Sequence, residues 1–480
     1  GATAQTDDRG VYRFGQLAPG DYLIALPQTI TSVPASTVDA YVAALSKPNG
    51  ASEFTRNMEI AGAPMPNNAG IRFGDQQLQL SGGMTRALGP PVVTANGKTY
   101  AYATTYYPSA MTAPDATPIT LTAGQDRSGI DVQLRTVQTV RVSGAVTSPD
   151  GLAMNIGVKL MPGAIDQAGL ESGFETATTS TDSMGNFTFP SVPTGVYTLR
   201  VTKLPRPAPP PPPPPPPVPG AAGRAATPPT PPMPQPPADP MLWAETVVSV
   251  NDTDVNGLAV ALRPGARISG RIVFEGSAPQ PTPDVLQRMT VSVSSADGRP
   301  NLVNTPTRPT NSGQFTTVGG YPPGKYTVSA SGATSGWFFK GATLGGKNLD
   351  EEGLDLSSQD VSGVTITFTD RTTLISGTVR DPAVQRDMAA SIFFFPADYT
   401  AWLERGMIGR RTRQVSVGGA GAFQTSGMPP GDYLVAAINP EQLSDVRDKA
   451  FYDALARVAT RITLGDGEKK SLDLNVSPIR

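Results

Sequence analysis

Gly185-Asn186-Phe187-Thr188-Phe189 leads, after two more residues, into Val192-Pro193-Thr194-Gly195-Val196-Tyr197-Thr198-Leu199. The first glycine suits a turn that needs positive φ. Aromatic and polar residues then alternate with period two, the pattern of a strand with one buried face. Pro-Thr-Gly makes a second turn, and an alternating strand returns with a tyrosine near its start. The stretch therefore reads as strand, turn, strand.

The same unit occurs three more times. Gly10-Val-Tyr12-Arg-Phe14 precedes Leu17-Ala-Pro19-Gly20-Asp-Tyr22-Leu-Ile24. Gly313-Gln-Phe315 precedes Tyr321-Pro-Pro-Gly324-Lys-Tyr326-Thr-Val328, and Gly421-Ala-Phe423 precedes Met428-Pro-Pro-Gly431-Asp-Tyr433-Leu-Val435. The two glycines stand 10, 10, 11 and 10 residues apart in chain order while the polar residues between them vary. A spacing held while its contents drift marks a structural repeat.

A second signature marks the edges of the repeat. Val142-Ser-Gly144-Ala-Val146, Ile268-Ser-Gly270-Arg-Ile272 and Ile375-Ser-Gly377-Thr-Val379 read as opening strands. Shortly before each comes an alternating closing strand: Ile130–Leu134, Leu258–Leu262 and Val364–Phe368. Leu472–Val476 closes the chain in the same way. Boundaries therefore fall near residues 136, 264 and 371. The expected modules are 1–135, a partial β-sandwich with an insertion at 28–92; 136–263, with a proline-rich insertion at 205–240; 264–370; and 371–480, with a helical segment near 441–461. The first lacks an opening strand. With Gly1-Ala2-Thr3 in place of an initiator methionine, the chain reads as a processed or truncated fragment whose missing strands lie upstream or come from a neighbouring chain.

The paired signatures resemble those of the carboxypeptidase regulatory-like domains, which are Ig-like or transthyretin-like β-sandwiches strung in tandem in bacterial secreted and outer-membrane proteins. The resemblance covers most of the chain outside residues 28–92 and the proline tract. It implies an all-β fold of tandem sandwich modules with a short C-terminal helix and a polyproline loop, and it favours export. On function a shared fold is nearly silent.

Composition narrows the chemistry. The 480 residues include 50 Gly and 50 Pro but no Cys and no His. That removes the Ser-His-Asp relay, thiolate nucleophiles, disulfides and imidazole ligation of zinc. Carboxylate-only catalysis stays open, because glycoside hydrolysis needs just two Asp or Glu, yet nothing marks such a pair. The 38 basic and 40 acidic residues are well mixed. No basic stripe suits nucleic acid, and no apolar run reaches membrane-spanning length. No catalytic residue and no cofactor are expected.

Several segments break the repeat. Residues 205–240 hold 20 prolines in 36 positions, including the unbroken run Pro209–Pro217. It is either an exposed loop or a semi-rigid polyproline II arm that docks on a partner. In the 28–92 insertion, Thr37–Leu45 suits two turns of helix with Thr37 as candidate cap, and Leu78–Leu80 a short strand. Leu443, Val446, Ala450, Leu455 and Val458 recur at helical spacing, so a helix is expected to cover the end of the last sandwich.

Candidate interaction residues are the aromatics Tyr100, Tyr102, Tyr106 and Tyr107, together with Trp337 and Phe338. Tyr100 and Tyr102 point the same way on a strand and could stack on a sugar; filling a half-buried face is the structural alternative. Of Trp337-Phe338-Phe339 and Phe393-Phe394-Phe395, a sandwich buries one ring and exposes its neighbour. Asp252 and Asp254, near Asn251 and Asn256, offer oxygens at alternate positions and are candidate calcium ligands, against a solvated turn. Asp350-Glu351-Glu352 reads as a charged loop. Lys159 and Asn475 are the candidates for an internal isopeptide cross-link.

Taken together, the expectation is a non-enzymatic structural or adhesive component of a bacterial extracellular or cell-surface assembly, with the periplasm as the alternative location. It would self-associate by strand exchange at the first module, or join another surface protein. The alternative is a carbohydrate- or protein-binding accessory region of a larger secreted enzyme or outer-membrane receptor. The modules are expected as beads joined by short links.

Overall fold

The computed structural model describes residues 2–15, 17, 20–67, 70–79, 81–82, 85–86, 88–122, 124–163, 174–204, 241–296, 306–317, 320–334, 336–380, 390–404, 410–417, 421–440 and 449–479. The fold is all-β, with sheets packed face to face into sandwiches and a few short helices.

Each Ser-Gly strand lies at the centre of one sheet. Thr136–Ser148 pairs antiparallel with the signature strand Asn186–Pro193 and parallel with the closing strand Val255–Ala261. Ile268–Glu275 lies in the same way between Gln314–Thr316 and Val361–Thr369. Leu374–Arg380 lies between Ala422–Ser426 and the broken closing strand Lys469–Ser471 and Leu474–Asn475. The glycine is required by this arrangement. A methyl group on Gly144, Gly270 or Gly377 would run into the carbonyl oxygen of Leu258, Val364 or Leu472 respectively. The bare α-carbon lets the parallel strand close in.

The second strand of each hairpin belongs to the opposite sheet. Gly195–Lys203 pairs with Gly157–Pro162 and Leu242–Val250, Gly324–Ser331 with Thr290–Ser295 and Leu354–Leu356, and Gly431–Ile438 with Ser391–Pro396 and Thr460–Leu464. Alternate residues of both sheets fill three cores, around Phe187, Phe189 and Leu199, around Phe315, Val328 and Ile366, and around Phe394, Phe423 and Tyr433. The repeated tyrosine explains the hairpin's shape. The hydroxyls of Tyr197, Tyr326 and Tyr433 donate to the carbonyls of Pro193, Pro322 and Pro429 at 2.9, 2.9 and 2.6 Å, pinning the corner where the chain changes sheets. Burial pushes Tyr197 and Tyr433 up to about 12. The signature glycines Gly10, Gly185, Gly313 and Gly421 all sit at φ of 77–87°.

Residues before 136 depart from the expected pattern. Gly10–Phe14 and Ile130–Leu134 form no strand; instead the Tyr12 hydroxyl donates to the Ile130 carbonyl at 2.6 Å. Among the described residues no opening strand lies beside these segments. Short pairs remain, Gly20–Tyr22 with Ile119–Leu121 and Ala25–Leu26 with Thr105–Tyr106. The 28–92 insertion is largely ordered structure that adds to the next sandwich. Ile30–Pro34 pairs in parallel with Ala177–Ser180, and Gln76–Gln79 and Ile71–Phe73 extend the same sheet. Thr99–Tyr102 pairs with the start of Thr136–Ser148 in the other sheet.

The helix expected from Thr37 begins earlier, as Ala35–Leu45, and Thr37 does not cap it. Thr37 is buried inside the first turn, where its hydroxyl meets Asn155 Oδ1 at 3.2 Å. A second helix, Gly50–Ile60, was not anticipated. Gln76–Gln79 covers the expected strand at Leu78, and Leu80 lies outside the described residues. The C-terminal helix is Lys449–Val458, with Leu443 and Val446 outside the described residues. It covers a sheet face rather than an end: Phe451, Tyr452 and Leu455 pack on Phe393, Phe395 and Ile438.

Replacing Gly270 by Ala should destabilise the third sandwich by about 1–3 kcal/mol, the usual cost of overpacking. Ser269→Ala, at a half-buried neighbour whose hydroxyl makes one long bond of 3.4 Å to the Val361 carbonyl, should cost less. Urea unfolding of both variants checks the order, and equal losses would refute the close-approach explanation.

Candidate interaction surface

The tyrosine cluster divides by burial. Tyr100 and Tyr102 lie half-buried on one face of Thr99–Tyr102, opposite Gln138 and Thr136, while Ala101 between them is buried on the other face. Tyr106 is only 4% exposed, and Tyr107 is half-buried before a cis bond to Pro108. Tyr106 therefore offers no ring to a ligand. Burial also raises its hydroxyl pKa.

Trp337 is buried, its indole donating to the Pro279 carbonyl at 3.0 Å and its ring edge-on to Phe274. Phe338 beside it is exposed. All three rings of Phe393-Phe394-Phe395 are buried, contrary to the expected alternation. Phe394 faces the sandwich core, while Phe393 and Phe395 face the C-terminal helix. A helix on the outer face supplies the second apolar environment that a lone sandwich lacks.

Asp254 serves the ladder. Its Oδ1 accepts the Arg141 amide at 2.9 Å, where the parallel pairing changes register, and Asp360 does the same for Arg267 at 2.8 Å in the next sandwich. Asp252 is exposed, and its carbonyl accepts from Gln138 Nε2 at 3.4 Å. Among the described residues no three carboxylates gather in a metal-holding cluster. Lys159 pairs with Glu175 in the second sandwich, while Asn475 lies in the fourth; the structure does not bring these two together. Pro209 and Pro217 lie outside the described residues.

The acidic run expected to be a loop is a one-turn helix, Leu349–Glu352, at the joint between the third and fourth sandwiches. Asp350 is 7% exposed and accepts from Arg410 Nη1 at 3.0 Å. The same guanidinium donates to the carbonyls of Lys340, Phe339 and Gly427 at 2.9, 2.8 and 3.3 Å, and lies 4.4 Å over the Phe339 ring. Arg411 donates to Glu351 at 2.6 Å and to the Pro430 carbonyl at 2.9 Å. Burial outweighs Arg410 and pushes the Asp350 carboxyl above its ordinary range. Arg410-Arg411 and Asp350-Glu351 are adjacent pairs of opposite sign, and that was the signal in the sequence. Sixty residues of separation hid it. The joint between the second and third sandwiches is also bridged, because Met241 and Trp243 of the earlier sandwich enter the later core.

Exposed apolar side chains are unevenly placed. Of 16 large ones among the described residues, ten precede residue 136, including Val92 at 59% and Val93 at 54%. These two form the strand Val92–Val93, at the outer edge of the sheet that runs through Thr99–Tyr102 into the second sandwich.

No family model matches the chain, and no curated protein does. Among solved structures the chain is similar to the Bacillus anthracis TIE protein, with 9% identity over 80% of this chain and 59% of that one, at a TM-score of 0.17. It is also similar to BcpA, the major pilin subunit of Bacillus cereus, with 13% identity over 70% of this chain and 99% of that one, at a TM-score of 0.16. A DUF3823 family protein from Bacteroides ovatus matches at 10% identity over 36% of this chain and 88% of that one, at a TM-score of 0.14.

Arg410→Ala would leave Asp350 buried without its partner, and should cost about 3 kcal/mol. Arg410→Ala with Asp350→Ala should recover part of that loss, a coupling that a double-mutant cycle reads directly. Additive losses in urea unfolding would mean that the two side chains do not act as a pair.

Proposed function

We propose that this chain is a non-enzymatic structural component of a bacterial extracellular or cell-surface assembly, built from four modules of carboxypeptidase regulatory-like type, the first partial. Its subunits associate through strand addition at the first module, into a filament or layer. The observation that carries this reading is the sheet that continues across the boundary at residue 136 and ends at Val92–Val93. An unpaired edge strand bearing apolar side chains is a template for another chain. The parallel addition of Ile30–Pro34 to Ala177–Ser180 supports the same mode of association, since there a strand from outside the module already completes a sheet.

A second reading, a glycan- or protein-binding accessory region, is favoured by Tyr100 and Tyr102. They lie on one strand face and both remain half-exposed.

Light scattering and negative-stain images across a concentration series test the assembly. The full chain should form defined oligomers or filaments. Val93→Lys, which places a charge on the edge, should raise the dissociation constant by about tenfold, or about 1.4 kcal/mol. A monomer at every concentration would refute the assembly, and it would turn attention to ligand binding at Tyr100 and Tyr102.

A further inference from the structure

Three Asn-Gly pairs occur in the chain, Asn49-Gly50, Asn96-Gly97 and Asn256-Gly257. An asparagine before glycine can close a five-membered ring on the main chain, because no β-carbon hinders the approach of the glycine nitrogen to the side-chain carbonyl. The fold holds two of these pairs shut. Gly50 is buried at the start of the helix Gly50–Ile60, where its amide donates to the Lys47 carbonyl at 3.1 Å and an added Cβ would lie 2.2 Å from the Ala44 carbonyl oxygen. Asn256 stands between Val255 and Leu258, both paired to the strand Thr136–Ser148, and its Oδ1 accepts from the Ser143 hydroxyl at 2.8 Å.

Asn96-Gly97 is placed differently. It lies in the turn at 94–98 that joins Val92–Val93 to Thr99–Tyr102, and every residue of that turn is exposed. Gly97 sits at φ 78°, with nothing within 4 Å of the place a Cβ would take. The Lys98 amide donates to Asn96 Oδ1 at 3.3 Å. The Thr94 hydroxyl lies against the same oxygen, and its single proton is shared between that oxygen and the Lys98 carbonyl at 2.8 Å. Donors at Oδ1 draw charge from Cγ and stabilise the oxyanion that forms when a nucleophile adds there. The Gly97 amide donates to the Thr94 carbonyl at 2.9 Å and must leave it first, which an exposed turn permits.

We infer that Asn96 is a site of spontaneous deamidation, and that its isoaspartate product frees the Val92–Val93 strand. The deprotonated Gly97 nitrogen bonds to Asn96 Cγ, the Cγ–Nδ2 bond breaks, and ammonia leaves with the proton that the glycine amide gave up. Water then opens the succinimide at either carbonyl. One opening gives aspartate, and the other gives isoaspartate with an extra main-chain carbon. Nothing is oxidised or reduced. The longer main chain no longer fits the closure of the turn, where the Thr94 amide donates to the Lys98 carbonyl at 2.8 Å. Among the described residues Val92–Val93 pairs with Thr99–Tyr102 alone, Val92 opposite Tyr100 and Val93 opposite Thr99. A strand that short depends on its turn. The inference does not rest on the assembly proposed above.

Peptide mapping by mass spectrometry of the full chain, incubated in mildly acidic and mildly alkaline buffer, tests it. Asn96 should convert at least about tenfold faster than Asn49 or Asn256, and faster in the alkaline buffer, where more of the attacking nitrogen is deprotonated. Methyl uptake catalysed by an isoaspartyl methyltransferase reads the isoaspartate fraction. In chains rich in isoaspartate, the amides at 92–100 should lose hydrogen-exchange protection while those of Asn186–Pro193 keep theirs. Asn96→Gln, whose longer side chain closes a ring far more slowly, should hold its protection throughout. Conversion at Asn96 no faster than at the other two pairs would overturn the inference. So would full protection of 92–100 in the isoaspartate chains.

Discussion

The approach of a closing strand to the bare α-carbon of an opening strand is the constraint on which this architecture turns. Gly144, Gly270 and Gly377 each face a carbonyl of the parallel partner with no room for a side chain. The parallel pair places the opening strand at the sheet's centre, with the signature hairpin on its other side. It also returns the chain to the point where the next module begins. Hence the passage from Ala261 to Ile268, or from Thr369 to Leu374, needs only a few residues. The carboxylates of Asp254 and Asp360 take up the amides of Arg141 and Arg267 where this pairing changes register. What reads as an isolated Ser-Gly motif is one end of a contact whose other end lies 90 or more residues away.

The hairpins were legible because all their determinants are local. A glycine at positive φ, a period-two strand, a proline turn and a tyrosine that bonds back four residues all fall within about 15 residues. In the segment before residue 136, local pattern and tertiary context part. Ile130–Leu134 alternates like the other closing strands, but among the described residues it pairs with no opening strand and stays irregular. The insertion at 28–92 carries little periodicity, because its strands fit the edges of a neighbouring sandwich instead of enclosing a core of their own; the apolar cluster nearest to it is only Ile30, Leu78 and Ala101. The roles of Asp254 and Asp350 were illegible for a related reason. An acidic residue looks the same in sequence whether it faces water, a backbone amide or a guanidinium.

The joints show how neighbouring sandwiches come to constrain each other. At the joint of the third and fourth sandwiches, Arg410 spans both sides: its carbonyl partners Lys340 and Phe339 belong to one, Gly427 to the other. A guanidinium can do this because its five donors lie in a fixed plane, and its face can rest on an aromatic ring. A lysine could supply the charge but not the geometry. At the preceding joint the link is apolar, through Met241 and Trp243. The two joints are therefore held by different chemistry, a guanidinium network at one and apolar packing at the other.

The docked first segment gives the second sandwich properties that its own sequence does not encode. Its edge at Ala177–Ser180 is occupied by Ile30–Pro34, and among the described residues the open edge of that sheet moves out to Ile71–Phe73. Its other sheet is prolonged to Val92–Val93, so a new and more apolar edge opens. The docking also brings the start of Ala35–Leu45, whose first amide donates to the Asp75 carbonyl at 3.1 Å, over a cleft whose floor includes Arg141, Asp182 and Thr188. Neither the edge nor the cleft exists in a single module. Both arise where residues before 136 add strands to the sheets of the second sandwich, while the apolar cluster they share is small.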